Sequence, residues 1–497
     1  MSATGLLVAG TSSDAGKSLV TAGLCRFLAR QGLRVAPFKA QNMSNNSMVC
    51  TDGTEIGRAQ YLQAQAARAV PESAMNPVLL KPGSDRRSFV IVNGKPAGVL
   101  EAGEFATGRR HLAQAAFAAY QDLAARYDVV VSEGAGSPAE INLRAGDYVN
   151  MGLAQRFSLP VLVVGDIDRG GVFASLYGTH ALLDDADRAL LQGFVINKFR
   201  GDVNLLRPGL DRITELTGVP VLGVLPWLDG VWLDGEDTLL VGRWSGDRDI
   251  DAAVRPESGG EPVQVAAVRF PRLSNATDID ALACEPGVQV TMTTDPAGLR
   301  SADVIVLPGS RSTVADLEWL RRNGLAAAVT QAAERSVPVL GICGGYQMLA
   351  GRIDDPVESA AGRVPGLGLL PTTVSFTAEK TLRRTRGAWS GHATEGYEIH
   401  HGTATVEQSA AASGVEPFLE GCRSGSVWGT MWHGAFENDE FRRAWLSTVT
   451  ASGSRPFRAV PGAVGFGARR EAMIDRLADA ITDHLDTDGL LALLGSR

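Results

Sequence analysis

The sequence predicts an α/β fold of two parallel-sheet domains, and three observations carry that prediction. The first half alternates short β-branched runs with longer, alanine-rich amphipathic stretches, the pattern of successive βα units. A second series of the same kind begins after an acidic, glycine-rich stretch past the middle of the chain. The length of 497 residues suits about two to four domains rather than one.

The elements follow in order. In the first half, strands are expected at 5–9, 34–38, 128–132, 160–165, 193–197 and 219–224, with helices at 61–70 and 112–126 among the connections. The pattern breaks after Pro226. Strands resume at 263–270, 288–291, 303–307 and 337–342, and apolar residues at helical spacing mark 470–494. The expected organisation is a first domain at 1–228, a linker at 229–262, a second domain at 263–450 and a C-terminal helical segment at 451–497.

Composition narrows the function classes. The formal net charge is −8, so no general electrostatic footprint for nucleic acid exists. No apolar run approaches the ~18–20 residues that span a bilayer, and the run at 6–10 is too short for a secretory core. Five scattered cysteines without a CxxC pair argue against a disulfide scaffold or zinc ribbon and suit a reducing compartment. The expectation is a cytoplasmic enzyme acting on small molecules, without nucleic-acid or membrane partners and compatible with a homo-oligomer.

The first chemical motif follows the first strand: Gly10, Thr11, Ser12, Ser13, Asp14, Ala15, Gly16, Lys17, Ser18, then a helix. Free N–H groups at a helix start, approached through glycine, cradle phosphates. Thr11, Ser12, Asp14, Ala15, Gly16, Lys17 and Ser18 are therefore the expected ATP-binding set, with Lys17 on the β/γ-phosphates and the Ser18 hydroxyl on Mg²⁺. Five residues rather than four separate Gly10 from Gly16. The strand at 128–132 ends in Glu133, at the sheet edge where ligands bind in open α/β folds, which suits a second Mg²⁺ position. Asn197, at the end of a later strand, is a candidate for contacts to the nucleotide base. Six lysines occur in the chain, and Lys17, Lys39 and Lys198 all fall in these loops.

The variant loop with Glu133-Gly-Ala-Gly resembles the dethiobiotin synthetase-like branch of P-loop enzymes. That resemblance implies a P-loop NTPase-like domain that uses ATP to phosphorylate a carboxylate. Positioning and charge neutralisation do most of the work in such chemistry. Lys39 would then steady the transferred phosphoryl group or the carboxylate.

The second motif is Gly341-Ile-Cys343-Gly344-Gly345, where a strand meets a helix at a tight glycine turn. Such an elbow exposes a nucleophile, here a thiol, at a helix start that favours the thiolate. The Gly344 N–H can donate to an oxyanion, and Gly309 and Ser310, after another strand, can supply further amides. A cysteine nucleophile needs an imidazole base. His433, delivered by an apolar run, leads the seven histidines, with His400 and His401 behind it. This half looks like a class I glutamine amidotransferase domain, whose cysteine and histidine positions Cys343 and His433 match. The usual third member, a Glu two residues after the histidine, is Ala435. Glu437 or Glu398 orienting the imidazole, or a dyad, are the readings left open.

Taken together the chain resembles the cobyric acid synthases, the amidotransferases of adenosylcobalamin biosynthesis. The text that carries this covers most of the chain: Lys39-Ala-Gln-Asn42-Met-Ser-Asn45-Asn46-Ser47, Glu55-Ile-Gly-Arg-Ala-Gln60, Met75-Asn-Pro-Val-Leu-Leu-Lys-Pro, Asp166-Ile-Asp-Arg-Gly-Gly and Gly396-Tyr-Glu-Ile-His. Met431 stands where that family usually has Tyr. The resemblance implies amidation of the b, d, e and g carboxylates of adenosylcobyrinic acid a,c-diamide, with glutamine as nitrogen donor, one ATP per amide, and ammonia passed internally. Asn42, Asn45 and Asn46 would hydrogen-bond the arms of the corrinoid, and Glu55 would add an Mg²⁺ ligand. A related amidotransferase with another carboxylate acceptor, such as the a,c-diamide synthase or a peptidoglycan-precursor amidase, is the alternative. A P-loop positioning switch is disfavoured, because its extra early lysine is missing and Cys343 would have no role.

Overall fold

The computed structural model describes residues 4–84, 87–101, 110–231, 261–407 and 414–495, and most of the expected linker at 229–262 lies outside them. The chain divides into two units. The first comprises Met1–Ser44, Cys50–Gly235 and Arg470–Arg497; the second comprises Asn45–Val49 and Glu236–Arg469. The terminal segment set apart at 451–497 therefore divides, with everything from Arg470 on belonging to the first unit.

In the first unit the strands of the two larger sheets are β1 (Thr4–Gly10), β2 (Val35–Phe38), β3 (Gln41–Met43), β4 (Val78–Ser84), β5 (Arg87–Val92), β6 (Lys95–Glu101), β7 (Val129–Glu133), β8 (Val161–Asp166), β9 (Leu191–Phe199) and β10 (Val221–Pro226). The main sheet has the order β10-β9-β8-β1-β7-β2, with every pair parallel. Such sheets are covered on both faces, which explains why β7 and β8 read as continuous Val/Leu runs rather than alternating ones. The carboxyl ends of β1, β7, β8 and β9 bring Gly10, Glu133, Asp166 and Asn197 to one edge. A second sheet, β3-β4-β5-β6, was not foreseen; its last two pairs are antiparallel hairpin partners.

Helix α1 (Lys17–Arg30) follows β1, and α2 (Arg58–Ala66) stops short of the expected 61–70 span, with Arg68 in the left-handed region at φ 55°. The apolar face of α1 packs with Met473, Ile474, Leu477 and Ile481 of the terminal helix Phe466–His484 in one core. Contact is close enough that a Cβ on Gly23 would lie 2.9 Å from the Leu477 carbonyl oxygen. Arg26 completes the junction: its buried guanidinium donates to the Ala66 carbonyl, Glu471 (2.8 Å) and Asp475 (2.7 Å). A second short helix, Thr487–Leu493, ends the chain.

In the second unit the strands of the two larger sheets are β11 (Val263–Val268), β12 (Val288–Thr293), β13 (Val304–Leu307), β14 (Val339–Ile342), β15 (Ala350–Asp355), β16 (Gly362–Pro365), β17 (Leu370–Trp389), β18 (His392–Val406), β19 (Val415–Phe418), β20 (Gly421–Ser424) and β21 (Val427–Thr430). Seven form the sheet β12-β11-β13-β14-β21-β20-β19, parallel from β12 to β21 and antiparallel beyond. The others form β16-β15-β17-β18, dominated by the long β17–β18 hairpin, which the βα reading did not anticipate. Two short helices matter for the site: α3 (Thr277–Ala283) and α4 (Gly344–Leu349).

Candidate active sites

The phosphate-loop site grows from β1. After Gly10 the backbone turns through Thr11–Ala15 to Gly16, whose φ of 97° suits glycine, and α1 begins at Lys17. A Cβ on Gly16 would strike the Asn197 side chain at 2.1 Å. The Asn197 amide donates to the Ala15 carbonyl (3.0 Å) and so braces the loop. Lys198 does the same one residue earlier in the loop, donating to the Asp14 carbonyl and to Asp166 Oδ2, both at 2.7 Å. Lys17 Nζ arches over the turn and donates to the carbonyls of Ser12, Ser13 and Gly136.

Glu133 is the hub of this site. Fully buried, it accepts at Oε1 from Ser18 Oγ (2.7 Å) and Lys39 Nζ (2.8 Å), and at Oε2 from Gln63 Nε2 (2.5 Å). The sequence reading joined Ser18, Lys39 and Glu133 to one site and missed Gln63, whose only signal is its place on the buried face of α2. Glu55 is buried and ion-paired with Lys81. Asn42, expected to hold the corrinoid, donates to Gln60 Oε1 (2.9 Å) and accepts from the Met43 N–H.

The cysteine site belongs to the second unit. Cys343 sits between β14 and α4 at φ 50°, ψ −109°, a strained conformation for a residue with a side chain. Its neighbours must be glycine: a Cβ on Gly345 would lie 1.9 Å from the Leu307 carbonyl oxygen, and one on Gly344 2.7 Å from the Ser310 nitrogen. The Cys343 N–H donates to the Thr430 carbonyl (2.8 Å), tying the elbow to β21. The Ser310 hydroxyl donates to Asp316 (2.6 Å).

His433 lies close enough to Cys343 for the thiol to favour its charged form, and its Nδ1 is held by a residue the sequence reading did not consider. Asp278, on α3, accepts from His433 Nδ1 (2.7 Å) with one oxygen and from the Gly434 N–H (2.7 Å) with the other. Both side chains are fully buried. Burial opposes the imidazolium, but Asp278 and Cys343 outweigh it and push the His433 pKa up to about 10. Tyr397 stacks on the imidazole at 5.4 Å, and Gly309 lies against its edge, where a Cβ would approach Cε1 to 3.0 Å. Neither expected orienter fills the third role. Glu398 is taken by His400 Nε2 (3.1 Å), Arg383 and Trp432 Nε1, while Glu437 sits in the short turn Ala435–Glu437 past the histidine. A partner 155 residues away leaves no local pattern to read.

Asn45 and Asn46 also belong to the second unit, not to the phosphate-loop unit beside Asn42. Asn46 Oδ1 accepts from the Ala276 N–H (3.2 Å), and the Ser47 N–H donates to Asn275 Oδ1 (2.9 Å).

A phosphate-binding loop in one unit and a Cys-His-Asp constellation on a glycine elbow in the other define an amidotransferase coupled to a nucleotide-binding synthetase. The comparisons agree. Residues 6–240 match the CobQ/CobB/MinD/ParA nucleotide binding domain and residues 264–441 the CobB/CobQ-like glutamine amidotransferase domain. A cobyric acid synthase from Cutibacterium acnes is 62% identical over 99% of this chain and 100% of its own length. Those of Mycolicibacterium gilvum and Streptomyces avermitilis are each 55% identical over 99% of this chain and 96% of their own. The chain belongs to the cobyric acid synthase family, and with it to the amidotransferases of cobalamin biosynthesis. A crystal structure of a glutamine amidotransferase, 18% identical, covers 37% of this chain and 98% of its own with a TM-score of 0.31, too low to argue from. Among the described residues no helix is long and apolar enough to cross a membrane.

Proposed function

We propose that the protein amidates the b, d, e and g carboxylates of adenosylcobyrinic acid a,c-diamide, drawing each nitrogen from glutamine and consuming one ATP per amide. The observation that supports it best is the His433 clamp: Asp278 behind and Cys343 in front, on a chain that also carries a phosphate loop.

In the second unit, the Cys343 thiolate attacks the side-chain amide carbon of glutamine. Backbone amides of Gly344, Gly309 and Ser310 stabilise the oxyanion. His433, charged against Asp278, gives its proton to the departing nitrogen, so ammonia leaves and a glutamyl thioester remains. Water, deprotonated by His433, then releases glutamate and restores the thiol.

In the first unit, the loop 11–16 and Lys17 hold ATP, and the acceptor carboxylate attacks the γ-phosphorus to give an acyl phosphate and ADP. Ammonia displaces phosphate to form the amide. Ser18 and Glu133 are hard oxygen donors 2.7 Å apart, a set that fits Mg²⁺. Bound there, the cation would neutralise phosphate charge. Lys39, 2.8 Å from Glu133, supports this reading as the side-chain cation that follows that charge. Glu55, neutralised by Lys81, is a weaker ligand candidate.

Replacing Cys343 by Ala separates the halves. Glutamine-dependent amidation is expected to vanish while ammonium-dependent amidation persists. Loss of both together contradicts the division of labour.

A further inference from the structure

The segment 45–49 precedes the amidotransferase match at 264–441 by more than two hundred residues, yet it packs within the second unit. Two of its contacts with that unit support the same imidazole. At the first, Asn46 Oδ1 accepts from the Ala276 N–H and the Ser47 N–H donates to Asn275 Oδ1, a reciprocal pair of bonds between two asparagine-bearing turns. Asn275 holds a left-handed backbone at φ 50°, and Asp278 follows three residues later on α3. At the second, Val49 is buried in a cluster with Tyr397 and Ile399, flanked by Met48 and Leu382. Tyr397 stacks on His433 and exchanges two backbone hydrogen bonds with it, at 3.0 and 2.9 Å.

The groups facing His433 are thus Asp278 from α3, Cys343 from the elbow, the Tyr397 ring from β18 and the Gly309 backbone. The segment braces two of these four. We infer that Asn46 is a positioning residue for the glutaminase site: through Asn275–Ala276 it fixes the start of α3, and so the Asp278 carboxylate that orients His433 toward Cys343. This rests on the Cys343–His433 reading above and assigns Asn46 to a part of the reaction other than corrinoid binding. The amidotransferase site is then incomplete without sequence that runs on directly from Lys39 and Asn42. Groups that hold a ligand's orientation from behind typically change its performance about 10–100-fold when removed.

The test uses the full chain. Asn46→Leu deletes the acceptor at similar volume, and Asn46→Asp keeps it. The readouts are glutaminase kinetics and the pH dependence of Cys343 alkylation by iodoacetamide, followed on the Cys343 peptide by mass spectrometry. For Asn46→Leu the glutaminase kcat is expected to fall at least about tenfold, with KM for glutamine within about twofold of wild type. Alkylation of Cys343 near neutral pH should slow by a similar factor, and Asn46→Asp should restore both. A kcat and an alkylation profile unchanged in Asn46→Leu overturn the inference. So does an equal loss in Asn46→Leu and Asn46→Asp. If Asn46→Leu fails to fold, Asn46→Ala replaces it, since it too removes the acceptor while Asn46→Asp keeps it, and the same outcomes decide. A wild-type profile insensitive to His433→Asn would instead overturn the underlying Cys–His reading.

Discussion

His433 carries its charge against burial, and the sign of that balance makes a pH prediction. Its folded pKa of about 10 lies above the ordinary 6.5, so the stabilisation from its pairing with Asp278 is fully present below about pH 6.5 and is lost as pH rises through 10. Urea unfolding of the wild type should show stability falling over that window, and Asp278→Asn should flatten the slope; an identical slope in both contradicts the assignment. Asp278→Asn should also cost glutaminase up to about 10⁴-fold in kcat, the scale seen when an imidazole loses its orienting carboxylate. Glu420 behaves in the same direction for a different reason. Burial comes first among its causes and lifts it to about 7, although it accepts from the Met431 N–H and Thr430 Oγ1. A carboxyl raised above its ordinary 4.5 contributes stability that is present below 4.5 and lost as pH rises through 7. Glu420→Gln, neutral throughout, should therefore unfold at higher urea than wild type near pH 8 and lose that advantage near pH 4. Equal midpoints at both pH values would show that the burial penalty is absent.

At the scale of elements, what was legible in sequence was what the chain states locally. The strand–loop–helix at Gly10–Ser18 and the Gly341–Gly345 elbow each place their chemistry within nine residues, and both appear as read. The parallel strands announced themselves through β-branched runs buried on both faces. Partnerships across long separations left no such trace. Gln63 reaches Glu133 from α2, Lys198 reaches the Asp14 carbonyl from β9, and Asp278 reaches His433 from α3, each by a hydrogen bond between segments far apart in sequence. The β17–β18 hairpin escaped because its alternation is confined to the start of β17 and gives way to a charged, mostly exposed stretch, while the centre of β18 is buried on both sides. Packing between helices is equally silent until the structure shows how near they come. Gly23→Val should test that contact: its Cβ would press on the Leu477 carbonyl at 2.9 Å, and overpacking of this kind costs about 1–3 kcal/mol. A melting temperature unchanged by Gly23→Val would show that α1 and the terminal helix have slack between them.

On the scale of the molecule, neither unit is continuous in sequence. The last 28 residues return to the first unit, where Met473, Ile474, Leu477 and Ile481 join the core around α1, and residues 45–49 are contributed to the second. Cutting the chain at the apparent domain boundary would therefore strip core side chains from the first unit, and a chain ending at residue 465 should express as aggregated or unfolded protein; a cooperative melt of that truncation would contradict this account of the core. The two chemistries should nevertheless separate by point substitution. Lys17→Ala is expected to abolish ATP-dependent phosphorylation of the acceptor while Cys343 still forms its thioester with glutamine. The most direct test of the whole reading combines purified protein with MgATP, glutamine and adenosylcobyrinic acid a,c-diamide and follows the corrinoid by mass spectrometry. Stepwise conversion of four carboxylic acids to amides is the predicted result; an unchanged corrinoid, with glutamine hydrolysis and ATP turnover intact, would contradict it.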